Sequence, residues 1–124
     1  MNNLIAIAIG GAFGAVGRYV SSQWVYGLLG RSFPFGTLFV NIAGSLVMGF
    51  LAVVLIERMV AAPELRAFLM IGFLGSFTTF STFSLETVNL IASGEVMKAG
   101  VNMLISVFVC VTACWMGMLL GRQL

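Results

Sequence analysis

Apolar residues occupy this chain in long runs, with little helical or strand-like alternation of polar positions inside them. Three stretches, 32–56, 67–85 and 99–121, contain no charged residue, and a fourth, 1–30, is interrupted only by Arg18. Crossing a bilayer takes about 20 apolar residues in helical form, so each run predicts one membrane span. The expected boundaries are Leu4–Leu28, Gly36–Ile56, Arg66–Ala92 and Met97–Leu120. Gly30-Arg31-Ser32-Phe33-Pro34 makes the first turn, and its proline suits a helix start. Residues 58–66, with Pro63, make the second turn. Ser93-Gly94-Glu95 makes the third, where Gly94 suits a left-handed helix stop. Links this short force each helix antiparallel to the one before. The chain therefore reads as an all-α membrane protein with a single transmembrane domain over 1–124. No basic stretch precedes a small-residue cleavage site, so the first run is expected to remain as a span.

One run departs from the pattern. Inside the third, Gly75-Ser76-Phe77-Thr78-Thr79-Phe80-Ser81-Thr82-Phe83-Ser84 places hydroxyls on six of ten residues. Ser and Thr side chains bond to nearby backbone and compete with the helical ladder, and a glycine beside them loosens it further. Irregular backbone at membrane depth survives only when it is buried in protein or lines a polar cavity. The third helix is thus expected to break mid-membrane, at a working site.

Composition agrees with the membrane class: 60% of residues are hydrophobic, 8% are charged and none is His. A net charge of +2, scattered along the chain, gives no footing for nucleic acid. Arg58, Arg66 and Arg122 fall on one side of the membrane, Arg31 and Lys98 on the other. Bias in Lys and Arg orients membrane proteins, and three against two is almost none. A fixed orientation and insertion in both directions remain open; the second would permit an antiparallel homodimer. Ala6, Gly10 and Gly14 in the first span, and Ser45 with Gly49 in the second, recur at four-residue spacing. Such small-residue stripes let helix backbones touch in lipid, within one chain or between two.

Few side chains could carry chemistry. Asn41 offers two N–H donors and an acceptor, and leaving such a group unpaired in lipid costs about 2–7 kcal/mol. It suits either a helix–helix bond or a ligand site. Asn102, Ser106 and Cys110 share one face of the fourth span through four-residue steps, as packing glue or pathway lining. Cys110 and Cys114, without His, do not make a metal set and read as packing residues. Phe80 and Phe83 are neighbours on one helical face, either as ordinary packing aromatics or with positive ring edges turned toward an anion. Glu86 is the one acid well inside a span, and Arg18 is its basic counterpart. Intramembrane charges usually face protein or water and do work. An ion pair between the two, proton coupling, or anion attraction are the alternatives. The absence of His, Asp and any Lys deep within a span argues against an enzyme.

Several strings together resemble a known family. Gly10-Gly11-x-x-Gly14 precedes Arg18, and Gly36-Thr37-Leu38-x-x-Asn41 opens the second span. Above all, Gly72-Phe73-Leu74-Gly75-Ser76-Phe77-Thr78-Thr79-Phe80-Ser81-Thr82-Phe83-Ser84-x-Glu86 fills the third. Over its whole length the chain is similar to the Fluc-type fluoride channels of microbes. That resemblance implies a dual-topology homodimer, arranged antiparallel, with two separate fluoride pathways. It implies that Asn41 donates its amide to fluoride and that Phe80 and Phe83 turn ring edges to the ion path. Ser81, Thr82, Ser84 and Glu86 would fall on or near a polar track, Ser106 on a polar site of the fourth span, and Arg18 near the vestibule. Backbone carbonyls of Gly75 and Thr78, from both subunits, would hold a structural sodium ion at the dimer centre. Ser76 stands where the family commonly has a second glycine, and Val109 where some members have a small residue.

The implied activity is a passive, fluoride-selective anion channel in the bacterial inner membrane. It would release cytoplasmic fluoride and protect the cell, with a narrow passage between Phe80 and Phe83 excluding chloride. The rival reading is a small proton-coupled multidrug antiporter using Glu86. A third is a non-transporting membrane subunit whose polar residues serve helix association alone.

Overall fold

The computed structural model describes residues 2–124, side chains from residue 3 onward. Four helices long and apolar enough to cross a membrane, Asn3–Leu29, Phe35–Arg58, Pro63–Ala92 and Val96–Gln123, run up and down in sequence. Each exceeds its expected bounds by a turn or less. The turns between them use the local chemistry of their residues. Gly30 and Gly94 both take a φ of 85°, the left-handed conformation that costs glycine nothing. Pro63 stands at the start of the third span, where its missing N–H removes no ladder bond.

The spans pack as two close pairs. The second lies along the fourth, and the first lies along the 67–74 portion of the third. Glycine makes both contacts possible. A Cβ on Gly10 would collide with the Phe68 carbonyl, and one on Gly14 with the Phe73 carbonyl. On the other pair, a Cβ on Gly49 would meet the Cys114 carbonyl and one on Gly117 the Leu46 carbonyl. Gly10, Gly14 and Gly49 of the stripes thus serve helix contacts within one chain. Val40 and Val53 are fully buried, with Ala99 and Ala113 on the fourth span close behind. Most large apolar side chains point outward, including Phe13, Trp24, Phe108 and Trp115, as lipid requires.

Two stretches are wound more widely than an α-helix, Ala52–Arg58 and Ala67–Leu74, each π-helical. Such turns are rare and cluster near functional sites; here the second leads directly into the hydroxyl segment. At Thr78 the backbone turns to φ −88°, ψ 159°, and at Thr79 to φ −153°, ψ 121°. Both values lie in extended territory. Regular helix resumes at Phe80 and runs to Ala92. That last segment makes few contacts beyond the fourth span, leaving Phe80, Leu85, Val88 and Ile91 outward.

Candidate functional site

The extended residues Thr78 and Thr79 need partners for the backbone groups they withdraw from the ladder, and side chains from other spans supply them. Asn41 Nδ2 donates to the Thr79 carbonyl at 3.0 Å, and Asn41 Oδ1 accepts from the Thr79 N–H at 2.7 Å. This two-way clasp fixes which way the amide faces and leaves one of its two N–H groups uncommitted. Thr79 Oγ1 then accepts from the Thr82 N–H at 3.1 Å, a side-chain N-cap for the helix that restarts at Phe80. Arg18 Nε donates to the Ser76 carbonyl at 3.0 Å, satisfying an oxygen at the end of the preceding helix. Thr78 Oγ1 turns back onto the Leu74 carbonyl at 3.0 Å.

Beside this crossing lies an open groove of about 380 Å³, lined in part by Asn41, Thr79, Phe80, Phe83, Ser106 and Cys110. Its wall is mainly apolar with neutral polar groups set into it; no charged side chain lines it. The two phenylalanines are not equivalent. Their ring centroids are 5.2 Å apart at 47°, yet Phe83 is 8% exposed and Phe80 75%. Rings this close touch each other, because residues three apart are neighbours on a helix. The expected passage between the two rings therefore does not exist within one chain. An ion following this groove would run along the pair.

Beyond Phe83 a buried polar cluster continues the line. Thr87 Oγ1 donates to the Phe83 carbonyl at 2.7 Å, and Asn102 Nδ2 donates to Thr87 Oγ1 at 2.9 Å. Ser106 Oγ reaches Asn102 Oδ1 at 3.4 Å. Asn102 is 1% exposed, so a fully buried amide is held almost entirely by hydroxyls.

Glu86 lines a second cavity of about 560 Å³, with Tyr26, Arg31, Asn89 and Lys98 among its walls. Its Oε2 accepts from the Tyr26 hydroxyl at 2.8 Å, and that hydroxyl lies 3.5 Å from Thr37 Oγ1. Glu86 Oε1 is buried without a partner. The Arg31 guanidinium sits 4.5 Å from the Tyr26 ring centroid, a cation–π contact. Lys98 pairs with Glu95 at 2.9 Å at the rim.

Of the residues singled out in sequence, Asn41, Phe80, Phe83 and Ser106 meet at the first groove, and Glu86 stands at the second. Ser81 is exposed, Thr82 faces Thr79, and Ser84 bonds the Phe80 carbonyl of its own helix at 2.9 Å. These three line neither cavity. Gly75 opens the short helix that precedes the extended residues, and Thr78 is the first of them. The ion pair between Arg18 and Glu86 does not form: Arg18 serves the Ser76 carbonyl and Glu86 receives Tyr26 instead. Tyr26, Thr37 and Thr87 escaped the sequence reading. Thr37 lay in a quoted string, but a lone Tyr or Thr near a span end carries no local signal for a partner on another helix.

Residues 5–118 match the family described as CrcB-like protein, Camphor Resistance (CrcB). A protein of Methylococcus capsulatus is 53% identical over 122 residues, 98% of this chain and 54% of that protein. One of Magnetococcus marinus is 52% identical over 116 residues, 94% of either chain. One of Coxiella burnetii is 49% identical over 123 residues, 98% of this chain and 99% of that one. Each carries the name fluoride-specific ion channel FluC. The chain spans about half the length of the first relative and nearly all of the other two. With four apolar spans and this match along almost all of its length, the chain belongs to the CrcB-like family of multi-pass membrane proteins.

Proposed function

We propose that this protein is a fluoride-selective anion channel of the bacterial inner membrane, releasing cytoplasmic fluoride passively and so protecting the cell. The observation that carries this reading is the charge-free groove at Asn41, in a chain so similar to relatives named for fluoride. Fluoride is small and strongly hydrated, so a pathway must replace water with donors. The uncommitted Asn41 N–H is such a neutral donor, and the Ser106 hydroxyl, whose proton rests on Asn102 Oδ1 at 3.4 Å, could join it by turning from Asn102. The helix restarting at Phe80 opens with N–H groups that no ladder satisfies, an end that favours anions. Neutral donors bind strongly enough for entry and weakly enough for exit. Phe80 and Phe83 would add positive ring edges along the route, and Glu86 with Tyr26 would stand at its far end. Arg18 reaches the site only through the Ser76 carbonyl, so its part is to hold the backbone. Ser81, Thr82 and Ser84 would act by shaping the helix start.

The working unit in this reading is an antiparallel homodimer with dual topology. Phe80 is mostly exposed and the groove stands open at the chain's side, which a second copy would close. The third span is read as broken at membrane depth, at Thr78 and Thr79. A structural sodium ion at the dimer centre fits the same segment. The Thr79 N–H that would reach the Gly75 carbonyl goes to Asn41, and the Thr82 N–H that would reach the Thr78 carbonyl goes to Thr79 Oγ1. Both proposed ligand oxygens are thereby released from the ladder, and carbonyl oxygens suit hard cations. Sodium would tie the two copies together by coordination to carbonyl oxygens of both. The multidrug-antiporter alternative draws no support from the relatives.

The test is growth of bacteria that lack their own fluoride exporter, on acidic medium containing fluoride. Expression of the protein restores growth, and Asn41→Ala restores it poorly. Failure of the unaltered protein to restore growth, while present in the membrane as folded dimer, would overturn the reading.

A further inference from the structure

Part of the groove wall is lined by sulfur, which the anion route does not use. Cys110 and Cys114 of the fourth span and Met48 of the second all border the same cavity. Both cysteines are free thiols and half-buried. Four residues apart, they share one helix face with Cβ atoms about 5–6 Å apart. The Cys114 backbone packs so tightly on Gly49 that a Cβ there would strike its carbonyl. The two spans that carry the three sulfurs are therefore locked together at this level.

We infer that Cys110, Cys114 and Met48 form a binding site for a soft, thiophilic cation such as silver(I) or copper(I). Thiolate and thioether are the ligands that select such ions, whereas harder divalent ions want oxygen or imidazole. Among the described residues no group of three or more His, Cys, Asp or Glu side chains is placed to hold a metal ion, so this site rests on two thiols and a thioether alone. Binding replaces two S–H bonds with two metal–sulfur bonds and releases two protons to water, with no change of oxidation state. The bound ion stands in the groove that also holds Asn41, Phe83 and Ser106. Its occupancy blocks anion movement; this second consequence rests on the channel reading, whereas the binding itself does not.

Silver nitrate in chloride-free buffer separates the two. Purified protein is titrated with it while ultraviolet absorption of the metal–thiolate bond is followed, and liposomes holding the protein are assayed for fluoride efflux. One silver ion per chain binds the unaltered protein, and efflux falls at least tenfold, recovering on addition of excess glutathione. Cys110→Ser and Cys114→Ser each raise the silver needed at least tenfold, relative to their own untreated efflux, and the double variant binds none at this site. Met48→Leu weakens binding less. Absence of stoichiometric binding, or binding unaffected in the double variant, would overturn the site. Stoichiometric binding with unchanged efflux would overturn the block. Protein without efflux before silver is added would speak against the channel reading, and the absorption titration would still decide the site.

Discussion

Asn41 does two things at once, and both come from its being an amide. Its oxygen and one N–H hold the Thr79 backbone at 2.7 and 3.0 Å, which leaves the second N–H for the groove. An alanine there strips partners from two part-buried backbone groups, each costing up to about 1–3 kcal/mol when left unsatisfied. Asn41→Ala is therefore expected to lower thermal stability clearly and to reduce fluoride efflux at least tenfold. Unchanged melting in detergent would contradict the clasp. An asparagine in an uncharged run announces itself in sequence, because an unpaired amide is expensive in lipid. Its partner does not, since the partner is a backbone nearly forty positions away. Glu86 teaches the same lesson. One of the alternatives paired it with Arg18, the other intramembrane charge, but helix rotation brings Tyr26 to it and turns Arg18 toward Ser76.

At the scale of elements, the four spans were legible because bilayer thickness imposes one simple rule on charge-free length. In the hydroxyl segment the side chains do bond to nearby backbone, as their type suggests: Thr79 Oγ1 accepts from the Thr82 N–H and Thr78 Oγ1 donates to the Leu74 carbonyl. The glycine stripes were legible as contacts but not as to which helix they meet. Spacing records a face, not its neighbour. Here the contact distances decide, and they are too short for any side chain. Gly49→Leu is expected to separate the second and fourth spans, giving aggregated protein on size exclusion, since overpacking a filled contact costs about 1–3 kcal/mol or more. Gly27→Ala, with nothing within 4 Å of the added carbon, should behave as the unaltered protein. Equal behaviour of the two would contradict the packing described.

For the whole molecule, the surface raises the question that a single chain does not answer. Phe80 is 75% exposed beside a groove that needs a wall, and the balance of Arg58, Arg66 and Arg122 against Arg31 and Lys98 leaves orientation weakly set. In the proposed antiparallel dimer, a tag on the carboxyl terminus is reached by protease from both faces of the membrane, in about equal amounts. Digestion from one face only would contradict dual topology without touching the groove. The most direct measurement is ion release from liposomes bearing purified protein, loaded with fluoride in one set and chloride in the other. Rapid fluoride release with little chloride release is the predicted result. Release of neither ion by folded, dimeric protein, or equal release of both, would contradict the account.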